Sequence, residues 1–193
     1  MWTCRSPMDS EKKLIERVRQ GQSDAFGPLY EKYADSVYAF VYWKVHHKET
    51  AQDITARAFI KALEGIGGLT PAENAFRPWI YTIARNAVTD HWRTTRPTLD
   101  IEDAWDLASD DDVERDVEAR MRLAGVRQYL QGLDPLQRDI VLLRVWSDLP
   151  YEEIGAIVGK RPDNCKVIFS RVVRRMRADL AVLLAMAVMR LYL

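Results

Sequence analysis

The sequence predicts an all-α protein made of two small helical domains joined by an acidic flexible linker. Three observations carry that prediction. Apolar residues recur at spacings of three and four along the chain, and alternating β-branched runs bounded by Asn-Gly or Gly-Gly turns do not occur. The 28 basic and 28 acidic residues of this 193-residue chain cancel overall but not locally. Residues 1–96 carry 14 basic and 11 acidic side chains, residues 97–120 carry 2 and 10, and residues 121–193 carry 12 and 7, so the blocks sum to +3, −8 and +5. The middle block also holds few large apolar residues (Leu99, Ile101, Trp105, Leu107, Val113, Val117), the composition of a solvated tether rather than a packed domain. The domains are therefore 8–96 and 121–193, with 97–120 as the linker. Residues 1–7 differ in character from the rest of the first domain, and Met8 is the expected start.

In the first domain, a helix is expected over residues 10–20, with Ser10 as N-cap and Gly21 as terminator. A long second helix runs from near Asp24 to Val45, with Phe26, Leu29, Tyr30, Tyr33, Val37, Phe40, Val41 and Trp43 apolar and Pro28 in its first turn, where a missing N–H costs little. A third runs from about Glu49 to Leu63 and stops at Gly65, Gly67 and Gly68. A fourth begins between Ala75 and Pro78 and ends near Arg93. It places Trp79, Ile80, Ile83, Ala84, Ala87 and Val88 on one side and Thr82, Arg85, Asn86, Thr89 and Arg93 on the other, with Tyr81 and Trp92 at the borders. Rings and cations interleaved on one helix suit single-stranded nucleic acid, because bases stack on the rings while cations follow the backbone. A tryptophan at helical spacing is ordinarily core, and Trp79 is assigned there.

The second domain is divided by Pro135, Pro150 and the stretch from Gly159 to Pro162. Pro150 opens a helix with Tyr151, Ile154, Ile157 and Val158 on its apolar side and Gly155 small enough for a close helix crossing. Gly159 stands where a left-handed C-cap is wanted, and Pro162 fits the first turn of the next helix. There Cys165, Ile168, Phe169, Val172 and Met176 form an inward stripe, and the remaining positions hold Lys160, Arg161, Lys166, Arg171, Arg174, Arg175 and Arg177 against one Asp163. That is +6 within eighteen residues. This pattern is expected to form a helix-turn-helix with a cationic recognition helix, whose DNA-binding residues are Lys166, Ser170, Arg171, Arg174 and Arg175; cations meet phosphates and polar groups reach base edges. A solvated basic face would carry the same charges; the tight turn ahead of it is what favours DNA.

Other classes fall away. Two cysteines are too few for a disulfide framework, and with His46, His47 and His91 they show no zinc spacing, which points to a reducing cytoplasm and no metal or other cofactor. No signal-peptide pattern opens the chain. The longest apolar run, residues 181–189, is about half of the ~20 residues a membrane-spanning helix needs, so no membrane insertion is expected. No paired carboxylates or nucleophile with base occur at a diagnostic spacing, so the chain is not read as an enzyme.

The two nucleic-acid constellations, in this order and flanking an acidic linker, resemble the bacterial RNA polymerase sigma factors of the extracytoplasmic-function (ECF) class. The likeness runs from about Met8 to Leu180. It rests on Asp24-Ala25-Phe26 with Leu29-Tyr30 and Tyr33; on Thr50-Ala51-Gln52-Asp53-Ile54 with Phe59 and Lys61-Ala62-Leu63; on the continuous stretch from Phe76 to Asn86 with Asp90-His91-Trp92-Arg93; and on Leu133, Pro135, Gln137-Arg138, Val141-Leu142-Leu143-Arg144 and Tyr151-Glu152-Glu153-Ile154-Gly155.

The resemblance implies a specificity subunit for core RNA polymerase. The third helix would dock on the polymerase clamp through Asp53, Arg57 and Lys61. The loop over residues 65–74 would capture a base flipped from the non-template strand of the promoter, with Asn74, Arg77, Tyr81 and Asn86 around it and Arg85 and Arg93 further along the helix. The recognition helix would read the duplex at the minus-thirty-five element, the linker would thread the polymerase's RNA-exit path, and an anti-sigma factor would hold the two domains together. Three departures stand out. Ala56 replaces the family's usual Gln after the clamp-docking Asp. The family's usual Val-Lys-Ser-Arg run in the recognition helix reads Cys165-Lys166-Val167-Ile168. The tail from Ala178 to Leu193 is longer and more apolar than the family needs, and is expected to be buried against the rest of the chain, a second copy or a regulator. The competing reading is an autonomous helix-turn-helix regulator that binds duplex DNA without joining polymerase; it leaves the pattern from Trp79 to Arg93 unused.

Overall fold

The computed structural model describes residues 10–71, 75–94 and 128–191, and side chains as far as residue 178. Residues 1–7, the linker 97–120, Asn74 and the side chains of the apolar tail lie outside that description. The described residues are helical with no strand, and the chain divides into two compact units, Met1–Ala108 and Ser109–Leu193.

In the first unit α1 (Glu11–Arg19) starts at Ser10, whose Oγ accepts the Lys13 N–H at 3.4 Å. It ends at Gly21, which takes a left-handed φ of 88°. The second helix begins later than expected. A 3-10 turn, Ser23–Phe26, comes first, and α2 spans Gly27–Val45. An α-helix begun at Asp24 would need an N–H from Pro28 to reach the Asp24 carbonyl; Pro28 has none, and the Gly27 N–H takes that carbonyl instead. α2 ends at His46, left-handed at φ 56°, and α3 (Lys48–Gly65) is capped by the His47 ring, whose Nδ1 accepts the Thr50 N–H at 3.2 Å. A second 3-10 turn, Ile66–Gly68, leads toward α4 (Phe76–Thr94).

α2, α3 and α4 pack on one another, and α1 lies against α2 and the two 3-10 turns. Their shared core holds Leu29, Val37, Phe40, Ala51, Ile54, Ala58, Phe59, Phe76, Ile80 and Val88. Phe26 stands edge-on to Phe59 and Phe76 at 6.4 and 5.8 Å, an aromatic joint between the first 3-10 turn and two helices. Beside it lies a carboxylate. Glu11, only 5% exposed, accepts from the Tyr33 hydroxyl at 2.5 Å, from Lys32 Nζ at 3.2 Å and from the Phe76 N–H at 3.0 Å. One side chain of α1 thus pins α2 and caps the first turn of α4, so a buried charge is kept by partners rather than expelled.

The second unit contains helical residues 128–131, then α5 (Pro135–Val145), α6 (Tyr151–Val158) and α7 (Pro162–Leu191). Asp134 caps α5, accepting from the Leu136 and Gln137 N–H groups at 2.9 and 3.1 Å, worth about 1 kcal/mol. Arg138 reaches back to the carbonyls of Leu130, Gln131 and Leu133 at 2.9, 2.8 and 3.3 Å, closing the end of the preceding helical segment. Burial lowers its pKa, with Asp139 and Asp134 opposing the shift. The core is Leu130, Leu133, Ile140, Leu142, Leu143, Leu149, Ile154, Ile157, Cys165 and Val172. Among the described residues no helix is long and apolar enough to cross a membrane.

Candidate functional site

The turn between α6 and α7 sets the first surface. Gly159 is left-handed at φ 68° and ψ 39°, and its N–H and that of Lys160 both donate to the Gly155 carbonyl, the latter at 3.0 Å. Gly155 is buried, and a Cβ there would lie 2.6 Å from the Lys160 carbonyl oxygen and 3.4 Å from Pro162 N. From sequence this glycine is expected at a helix crossing. The closer constraint is the turn's own backbone, which folds over the glycine and leaves no room for a methyl group.

From this turn α7 projects with Cys165 and Val172 buried and Ile168, Phe169 and Met176 partly covered. Burial raises the Cys165 pKa, against smaller lowering effects of its backbone hydrogen bond and of Lys160. Lys166, Ser170, Arg171, Arg174 and Arg175 are exposed on the other side, with Asn164, Val167 and Arg177. The Ser170 hydroxyl donates to the Val167 carbonyl at 3.0 Å, which leaves its oxygen as an acceptor toward solvent.

On α4 the inward face is Phe76, Ile80, Tyr81, Ala84 and Val88. Tyr81 is therefore a correction: expected at the base pocket, it is 1% exposed and stands edge-on to Phe40 at 5.4 Å. It falls one residue after Ile80 and three before Ala84, inside the stripe that meets α2, so packing claims the ring. Trp79 is half-buried, edge-on to Phe76 at 5.9 Å, with its ring 3.4 Å from where a Cβ of Gly65 would stand. On the outward side Asn86 and Arg93 are exposed, with Trp92 exposed and Arg85 half-buried toward its border; Arg77, half-buried, falls three and four residues before Ile80 and Tyr81, in register with the inward stripe. Arg93 lies 3.8 Å from Asp90. Thr82 and Thr89 give their hydroxyl protons to the Pro78 and Arg85 carbonyls at 2.7 and 2.9 Å, so neither is a free donor on this face.

The third surface is the outer face of α3. Asp53, Arg57 and Lys61 are exposed at spacings of four, and the Asp53 carboxylate and Arg57 guanidinium lie 3.7 Å apart. Alternation of charge alone hides what surrounds them. Ile60 is 57% and Leu63 40% exposed, and Tyr30, 47% exposed, rests its ring edge on Phe59 at 4.9 Å. These apolar groups are not separable from core residues by periodicity, because α3 is apolar on more than one side.

A helix-turn-helix with a cationic outer face, preceded by a helical unit with basic, aromatic and mixed apolar faces, defines a DNA-binding transcription factor. Comparison narrows the class. Residues 29–98 match the family described as Sigma-70 region 2, and residues 123–176 match Sigma-70, region 4. The chain is 35% identical over 166 residues to the ECF RNA polymerase sigma factor BldN of Streptomyces coelicolor, a match covering 84% of this chain and 62% of that relative's length. It is 32% identical to the RNA polymerase sigma-H factor of Pseudomonas aeruginosa, covering 78% of this chain and 83% of the relative. With CarQ of Myxococcus xanthus it shares 31% identity, covering 84% and 93%. The fold is also that of CnrH, solved in complex with the cytosolic domain of CnrY, at a TM-score of 0.70 and 20% identity over 90% of this chain and 99% of that one. The chain belongs to the ECF RNA polymerase sigma factors, a family of non-enzymatic transcription initiation factors.

Proposed function

We propose that this chain binds core RNA polymerase and directs it to specific promoters, with its three exposed surfaces divided among polymerase, opened strand and duplex. The observation that carries this reading is the pairing, in one chain, of the cationic face of α7 behind a tight glycine turn with the basic and aromatic outward side of α4. Asp53, Arg57 and Lys61, ringed by Ile60, Leu63 and Tyr30, form the polymerase-binding surface, where apolar groups supply area and charges supply register. Arg77, Arg85, Asn86 and Arg93, together with Asn74, hold the opened non-template strand. Lys166, Ser170, Arg171, Arg174 and Arg175 hold the upstream duplex. The working domains are 8–96 and 121–193, with 97–120 as connector.

The chain acts by binding, with no bond chemistry of its own, in the cytoplasm where the polymerase works. Its regulator is a protein of the anti-sigma kind, as membership of the ECF sigma factors implies. An autonomous duplex-binding regulator would use α7 alone and leave the surfaces of α3 and α4 without a role. Run-off transcription with purified core polymerase on the DNA upstream of the protein's own gene tests the reading. A transcript that depends on this chain is expected; tight binding of free duplex with no transcript would favour the autonomous regulator.

A further inference from the structure

We propose that Val167 is a specificity-determining residue that reads the C5-methyl group of a thymine in the upstream duplex. The inference rests on the reading of α7 as the helix that enters DNA. Val167 lies in the second turn of α7, in the N-terminal part from which such a helix meets base edges. Residues 163, 167, 170 and 174 fall at spacings of four, three and four, directly opposite the buried stripe that begins at Cys165 and Val172. Val167 thus stands on the centre line of the outward face and is 44% exposed there.

Every other position on that line is polar. Asp163 lies 3.9 Å from Arg161, and the Ser170 hydroxyl proton goes to the Val167 carbonyl. Lys166 and Arg171 flank the line, and Arg174 comes a turn later, so cations for the phosphates surround an apolar centre. An isopropyl group cannot donate or accept a hydrogen bond. Among the groups that the four bases present in the major groove, the one apolar group is the thymine methyl. Pressed against a donor or acceptor edge instead, Val167 would strip that edge of water and return nothing. The centre of this helix therefore selects for thymine by contact and against guanine or cytosine by desolvation.

The test uses polymerase holoenzyme assembled with the full chain. Duplexes carrying randomised upstream sequence are selected for binding, and each thymine of the enriched element is then replaced by deoxyuridine, which removes only the methyl group. One replacement is expected to weaken wild-type holoenzyme by about three- to fivefold, the scale of one buried methyl group. The Val167→Ala holoenzyme, altered at an exposed position with a good helix former, is expected to bind thymine and deoxyuridine duplexes alike. An enriched element lacking thymine, a wild type indifferent to every replacement, or a Val167→Ala protein that keeps the discrimination would overturn the proposal. Failure to enrich any upstream element would sink the reading of α7 as the duplex-reading helix, and the proposal with it.

Discussion

At the scale of single residues, Glu11 joins parts of the first unit that the chain order keeps far apart. Its carboxylate serves a phenol on α2, an ammonium on α2 and the leading N–H of α4. Replacing it by Ala strands the Tyr33 hydroxyl and the Phe76 N–H in a dry interior, and a buried group left unpaired costs more than the net gain from pairing it. Glu11→Ala should lower stability by about 3 kcal/mol, read from urea unfolding of the first unit. A loss below about 0.5 kcal/mol would mean that water replaces the carboxylate at no cost. Cys165 gives a second prediction, with its sign fixed by burial. A thiol whose pKa is raised in the fold favours the neutral form, so its contribution is whole below the ordinary thiol pKa and is lost as pH rises through the folded value. Relative to Cys165→Ala, wild-type unfolding free energy should therefore fall as pH rises past the ordinary thiol range. Parallel pH profiles for the two proteins would refute this. By the same argument the thiol should resist alkylation at about pH 8 until the second unit is unfolded.

At the scale of elements, α7 is one helix with two jobs. Its inward stripe docks on α5 and α6, and its outward side carries the cations. The turn at Gly159 and the closeness of Gly155 to the Lys160 carbonyl fix the direction in which that side faces. Arg174 and Arg175 are both exposed, so their loss should leave the unit folded while freeing the phosphates they are proposed to neutralise. In the double variant Arg174→Ala, Arg175→Ala, the slope of log affinity against log salt should flatten by roughly two, about 0.9 for each phosphate no longer neutralised. Titrations of upstream duplex with holoenzyme across a potassium chloride series measure it, and an unchanged slope would place these arginines away from the DNA. α3 presents the contrasting case. Its charges are exposed and sparsely paired, worth little to the fold, while Ile60 and Leu63 stand uncovered beside them. These are the residues that the proposed polymerase contact would cover.

Along the whole molecule, a net charge of zero is the sum of two basic blocks and one acidic block. The all-α class, the two-part organisation and most helix ends are legible in local residue patterns. Those signals act over at most four or five residues: Ser10 reaches the Lys13 N–H, Asp134 the N–H groups of Leu136 and Gln137, and Gly159 turns one residue past its helix. The same locality made the helix-turn-helix legible, because the glycine turn and the stripe from Cys165 to Met176 lie within one short stretch of chain. Even the delayed start of α2 could be derived from Pro28 once the missing donor is counted. Tertiary structure alone decided the rest. Which of the apolar and aromatic residues on a broad helix face are covered depends on the partner helix, so Tyr81 went to the core while Tyr30, Ile60 and Leu63 stayed outside. No local pattern marks Glu11, because its meaning comes from the Phe76 N–H, 65 residues away, which only the packing of α1 against the end of α4 brings within reach.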